Sequence, residues 1–122
     1  MLVLEGRVKI GRRQGKKLGF STINIVVPRS VKKSQWGIYF SLVKIGDKLY
    51  PAITHLGPLK TFNFLSPTCE THILNFKENL YDTKVTKRLV FKFREVEKFP
   101  SLYMLKKQIR RDIKSAKRFF GF

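Results

Sequence analysis

Residues 37–54 read GIYFSLVKIGDKLYPAIT. Two runs rich in β-branched and aromatic residues, 37–45 and 48–54, flank the pair Gly46-Asp47. A two-residue link that opens on glycine suits a tight antiparallel hairpin, because glycine supplies the positive φ that matches strand twist. The middle of the chain is therefore committed to antiparallel sheet. Pro51 interrupts the second run, and a residue without an N–H predicts an edge strand or a bulge there.

Working outward, Leu2–Ile10, Ile23–Val27, Thr68–Phe76 and Lys84–Val96 also read as strands, with Pro28 ending the second of these. Residues 29–35 and 55–67 read as irregular, the latter because of Pro58 and Pro67. In 68–76, period two puts Glu70, His72, Leu74 and Phe76 on one face and Cys69, Thr71, Ile73 and Asn75 on the other. In 84–96, Leu89, Phe91 and Phe93 alternate with Val90, Lys92 and Arg94. Pro100-Ser101 then opens a helix to about Phe119, with Ser101 as N-cap. Its apolar stripe, Leu102, Leu105, Ile109, Ile113 and Ala116, is expected against the sheet. Lys106, Lys107, Arg110, Arg111, Lys114, Lys117 and Arg118 take the opposite side. Several short strands followed by one helix imply a barrel or sandwich with an appended helix.

The length of 122 residues suits a single domain, here 1–122, with one core. One cysteine, Cys69, excludes an intrachain disulfide, and with His55 and His72 as the only histidines a clustered Cys/His metal site is out of reach. These features fit a reducing cytoplasm. Neither a secretory signal nor a membrane-spanning run is recognisable. Against 8 Asp and Glu stand 26 Lys and Arg, a formal charge of +18, which attracts polyanions. The bases are scattered along the chain, so a solvated surface and contact with a nucleotide or RNA both remain open.

Gly11, Gly15 and Gly19 recur among Arg12, Arg13, Lys16 and Lys17. A helix there would bear about 1 kcal/mol of cost per glycine, so a loop is expected. Glycine backbone can turn amides toward a phosphate, and Lys16 and Lys17 add charge. The loop matches neither the Walker A pattern nor the dinucleotide fingerprint.

The stretch GRVKIGRRQGKKLGFSTINI, residues 6–25, resembles the N-terminal signature of the riboflavin kinase family, G-x-V-x-x-G followed by a second glycine and L-G-[FI]-P-T-A-N. The resemblance continues through Gly37-Ile38-Tyr39, Leu56-Gly57 and Thr61-Phe62. It is strongest at ETHILNF, residues 70–76, followed by Leu80-Tyr81. It closes with REVEKF, residues 94–99, and a helix through Leu105, Gln108, Ile109 and Asp112. Ser21, Ile23, Lys60 and Asp82 depart from the pattern, replacing Pro, Ala, Pro and Gly. Asp82 matters most if the glycine serves close backbone approach.

The resemblance implies a small closed Greek-key-type β-barrel of about six strands with the C-terminal helix packed outside. It implies a kinase that moves the γ-phosphate of ATP to the 5′-hydroxyl of riboflavin, leaving FMN and ADP. Glu70 would be the general base. Thr22 and Asn24 would face Mg²⁺, and with Gly11, Gly15, Lys16, Lys17 and Gly19 would bind the nucleotide. Arg94 and Leu105 would contact the flavin. Neutral oxygen ligands suit Mg²⁺ when phosphates supply the anionic coordination. From the residues alone, Glu70 reads first as a strand-surface carboxylate paired with a base, and Thr22 and Asn24 as residues that hold a turn; Arg94 could be an exposed strand arginine. His72 is expected to be structural and Tyr81 to be packing.

The family's bacterial members are commonly fused to an N-terminal FAD-forming module, which is not expected within this chain. A monomer is expected. The rival class is a degenerate relative or basic barrel that binds RNA without catalysis, using the cationic helix face and the aromatic residues. No aromatic RNA-recognition motif or Gly-x-x-Gly clamp supports it.

Overall fold

The computed structural model describes residues 1–11 and 18–122. The sequence-expected loop residues Gly15, Lys16 and Lys17 lie outside the described residues. Six antiparallel strands form one sheet: β1 (Leu2–Arg7), β2 (Ile23–Ile25), β3 (Gly37–Ile45), β4 (Lys48–Leu59), β5 (Phe64–Ile73) and β6 (Lys84–Arg94). Helix α1 (Leu102–Phe120) follows. The spatial order is β1-β6-β3-β4-β5-β2. Because β6 returns to lie beside β3, strands β6-β3-β4-β5 make a Greek key. The sheet curls into a half-barrel, and among the described residues the segment after β1 meets β2 at one bridge, where the Lys9 N–H donates to the Asn24 carbonyl at 2.7 Å.

The β3–β4 hairpin turns at Gly46-Asp47 as expected, with Gly46 at φ +59°. Pro51, however, sits in an interior strand, opposite Leu42 of β3. It is tolerated because the ladder to β5 begins one residue later, at Ala52↔Ile73, while the Pro51 carbonyl still accepts from the Leu74 N–H. Residues 55–59, expected to be irregular, continue β4. Gly57 allows this by adopting φ +137°, with a register shift between Gly57 and Leu59. A short 3-10 turn over Lys60–Phe62 then leads into β5, which begins at Phe64.

The strands bury two faces. Inside the barrel lie Leu4, Ile25, Tyr39, Val43, Leu56 and Leu89 with their neighbours. Between sheet and helix lie Ile38, Phe40, Ile53, Leu74 and Ala116, with Phe93, Ile113 and Phe120 against them. Register shifts split what period two reads as one face of β6. Leu89 points inward, whereas Phe91 and Phe93 pack on Phe40 outside. Inside the barrel a hydroxyl chain, Ser41–Thr54–Thr71, spans three strands with 2.7 Å links and satisfies its own polar atoms.

Ser101 caps α1 by accepting from the Met104 N–H at 3.2 Å, and Gly121 at φ +81° ends it. The expected stripe holds at Ile113 and Ala116, but Leu102 is exposed. Asp112 is buried instead. Asp82 takes φ +63°, and its N–H donates to the Val8 carbonyl. A glycine at that position would answer a left-handed backbone, which Asp also tolerates. No helix is long and apolar enough to cross a membrane among the described residues.

Candidate active site

One transverse row of the sheet carries most of the candidate chemistry. Cross-strand partners run Arg94↔Ile38↔His55↔Glu70↔Asn24, and the bridge adds Lys9. Direct partners point to the same face of a sheet. Residues from five strands and the segment after β1 thus converge although they are spread over 86 positions, from Lys9 to Arg94.

Glu70 is buried near the middle of this row. Thr22 Oγ1 donates to its Oε1 at 3.5 Å, and Thr68 Oγ1 donates to its Oε2 at 3.3 Å. Both bonds are long, so they orient the carboxylate weakly. His55, its neighbour on β4, donates Nε2–H to the Gly57 and Pro58 carbonyls at 3.1 Å each. Burial pushes the His55 imidazole below its ordinary range and favours the neutral form. His72 donates Nδ1–H to the Ser21 carbonyl at 2.7 Å and meets Phe20 edge-on. It therefore ties the segment leading into β2 to β5. Tyr81 is exposed rather than packed, and the neighbouring Leu80 fills the core.

Asn24 is crowded by design of its surroundings. A Cβ on Gly11 would lie 2.7 Å from Asn24 Nδ2 and 2.9 Å from its Cγ. Gly11 thus makes room for the Asn24 amide. Among the described residues, Asn24 Oδ1 is the one buried side-chain oxygen or nitrogen with no hydrogen-bond partner. Such an atom calls for a ligand or an ion. No cluster of three His, Cys, Asp or Glu suited to a metal occurs among the described residues. The donor set at Thr22 and Asn24 is neutral oxygen, which fits a hard cation that brings phosphate ligands with it.

Two cavities open on this row. One, of about 130 Å³, lies between the sheet and α1 and has mostly apolar walls, including Leu18, Ile53, Phe62, Leu105 and Ile109. The other, of about 570 Å³, lies at the barrel mouth between Lys9–Gly11, the entry to β2 and residues 76–81. Phe20, Thr22 and Glu70 line both. Gly11, Gly19 and Asn24 border the second.

Arg94 and Leu105 both border the apolar cavity. The Arg94 guanidinium is already engaged, donating from Nη2 to Asp112 Oδ2 at 2.7 Å and from Nε to Oδ1 at 3.2 Å. Gln108 donates to Asp112 Oδ1 at 2.8 Å, and the Phe99 ring centre lies 5.7 Å from Arg94 Cζ. The guanidinium plane is therefore fixed before any ligand arrives. Asp112 and His55 did not emerge as site residues from the sequence. The signal for Asp112 was a lone carboxylate on the apolar side of a helix with seven bases. His55 had none, because its segment read as irregular.

The riboflavin kinase family model matches residues 1–120. The chain belongs to the riboflavin kinase family. It is 34% identical over 117 residues to the bifunctional riboflavin kinase/FMN adenylyltransferase of Haemophilus influenzae, covering 95% of this chain and 38% of that protein. It is 33% identical over 121 residues to the RNA-binding riboflavin kinase RibR of Bacillus subtilis, covering 98% of this chain and 52% of that one. The crystal structure of riboflavin kinase from Trypanosoma brucei superposes with a TM-score of 0.64 at 22% identity, covering 98% of this chain and 79% of that chain. The last likeness concerns the fold alone. The chain thus spans between about two fifths and about half the length of these two bacterial relatives.

Proposed function

We propose that this chain is a Mg²⁺-dependent riboflavin kinase, transferring the γ-phosphate of ATP to the 5′-hydroxyl of riboflavin and leaving FMN and ADP. The observation that carries the proposal is the shared wall. Glu70 and Thr22 border both an apolar slot, suited to a flat ring, and a wider cleft with more polar walls, suited to a triphosphate. A reaction between a flavin side chain and a nucleotide needs its general base at that junction.

In this reading the ring lies between the sheet and α1 against Leu105 and Ile109, with Arg94 held at the rim by Asp112. The ribityl chain runs toward Glu70, whose carboxylate accepts the 5′-hydroxyl proton as the oxygen attacks phosphorus in line. Gly19 and Gly11 shape the nucleotide side, and Gly15, Lys16 and Lys17 are assigned to the phosphates from the family resemblance. Thr22 Oγ1 and Asn24 Oδ1 would hold the magnesium ion, which would offset the charge of the phosphates. The orphaned Asn24 oxygen supports that assignment.

Purified protein incubated with riboflavin and MgATP should yield FMN, seen by chromatography. Glu70→Gln should lower the rate by about 10²–10⁴-fold while the fold persists. A wild type that neither turns over with any nucleoside triphosphate nor binds flavin would overturn the proposal.

Polyanion contact is a second activity to test. Lys107, Arg110, Arg111, Lys114 and Arg118 are exposed on α1, and none of these five takes part in the ion pairs among the described residues. RNA binding that weakens steeply with salt would be counterion release alone. Affinity that survives salt would mark recognition.

A further inference from the structure

Lys87 lies on the inward face of β6, between Val85 and Leu89, and is 0% exposed. Its side chain crosses the lumen. Nζ donates to the Cys69 carbonyl at 3.0 Å and to the Ile23 carbonyl at 3.1 Å, and lies 3.7 Å from Cys69 Sγ. The ion pairs among the described residues all involve other cations. Burial pushes the amine below its ordinary range and the Cys69 thiol above its own. Enclosing an amine in this way is costly, and an apolar side chain of equal length would fill the space without that penalty.

The acceptors show what the amine secures. Ile23 stands between Thr22 and Asn24, and Cys69 immediately precedes Glu70. In the ladder, Asn24 faces Glu70 and Ile25 faces Cys69. β2 is only three residues long, and among the described residues its other neighbour is reached through one bridge, at Lys9. An amine that grips both β2 and β5 from beneath fixes their separation where the ladder is shortest.

We propose that Lys87 is a positioning residue, an internal strut from β6 that holds β2 against β5 and so sets the distance from Thr22 and Asn24 to Glu70. Its catalytic consequence rests on the phosphotransfer reading above, whereas its mechanical role does not. Lys87→Met keeps length and bulk but removes the donors, and Lys87→Gln serves as a second variant. Amide hydrogen exchange should quicken at least tenfold at residues 23–25 and stay unchanged in β3. The turnover number for FMN formation should fall at least tenfold. The Kd for riboflavin should remain within twofold and the melting temperature should not drop. A merely structural lysine would lower stability and flavin affinity together. Unchanged exchange at 23–25 in a folded variant overturns the strut, as does failure of both variants to fold. If the wild type makes no FMN, the phosphotransfer reading fails, and exchange still decides the strut.

Discussion

Replacing Gly11 with alanine should disable the site while sparing the fold. The added methyl would stand 2.7 Å from Asn24 Nδ2, 2.9 Å from Cγ and 3.1 Å from Cβ. Carbon contacts settle near 3.5 Å or a little more, so the Asn24 amide must retreat by roughly 0.6–0.8 Å. A misplacement of about 1 Å at a reacting centre costs on the order of 10²-fold in rate, which puts the expected loss at roughly 30- to 100-fold. Stability should hardly change. Gly11 is not among the positive-φ glycines, so alanine meets no backbone strain, and the lost freedom of the unfolded chain contributes about 0.4–1 kcal/mol in its favour. Initial rates of FMN formation and urea midpoints measure the two quantities. The decisive comparison adds Asn24→Ala. If Gly11 acts only by housing Asn24, the double variant is no slower than Asn24→Ala alone. Full activity in Gly11→Ala, or losses that multiply in the double variant, would refute the reasoning.

Asp112→Ala leaves Arg94 without its bidentate partner at a site where Asp112 is buried, and should cost about 3 kcal/mol by urea unfolding. Chelating divalent cations should abolish FMN formation while leaving riboflavin fluorescence quenching intact, since the residues placed against the ring, Leu105, Ile109 and Arg94, are not proposed metal ligands. Burial holds His55 below its ordinary value of 6.5, so the unfolded chain binds the extra proton first. Its contribution to stability is complete above pH 6.5 and declines as the pH falls toward its folded value. Thermal melts between pH 7.5 and 5.5 should show a slope that flattens in His55→Gln.

The hairpin at 37–54 and the capped helix were legible because turn glycine, strand alternation and an N-cap serine all act locally. The strand through His55–Leu59 was not. Gly57 and Pro58 read as breakers, yet pairing with β3 as far as Leu56 and with β5 as far as Leu59 keeps the backbone extended there. The inward turn of Leu89 and outward turn of Phe91 were likewise invisible, because a bulge resets the period without a sequence mark. Thr22, Asn24 and Glu70 could be named from motif resemblance, and the structure brings all three to one junction. What resemblance could not supply was their support. The Arg94–Asp112 pair links a strand to a helix 18 residues away, and Lys87 reads on paper as one more surface base among 26.

Among the described residues, one backbone bridge, Lys9–Asn24, joins the two edges of the half-barrel, and the Lys87 side chain reaches Ile23 from β6. The wide cleft straddles that fastening, since Lys9, Gly11 and Asn24 all border it. Any molecule seated across the gap acts as a clasp, and mass action then converts its affinity directly into resistance to unfurling.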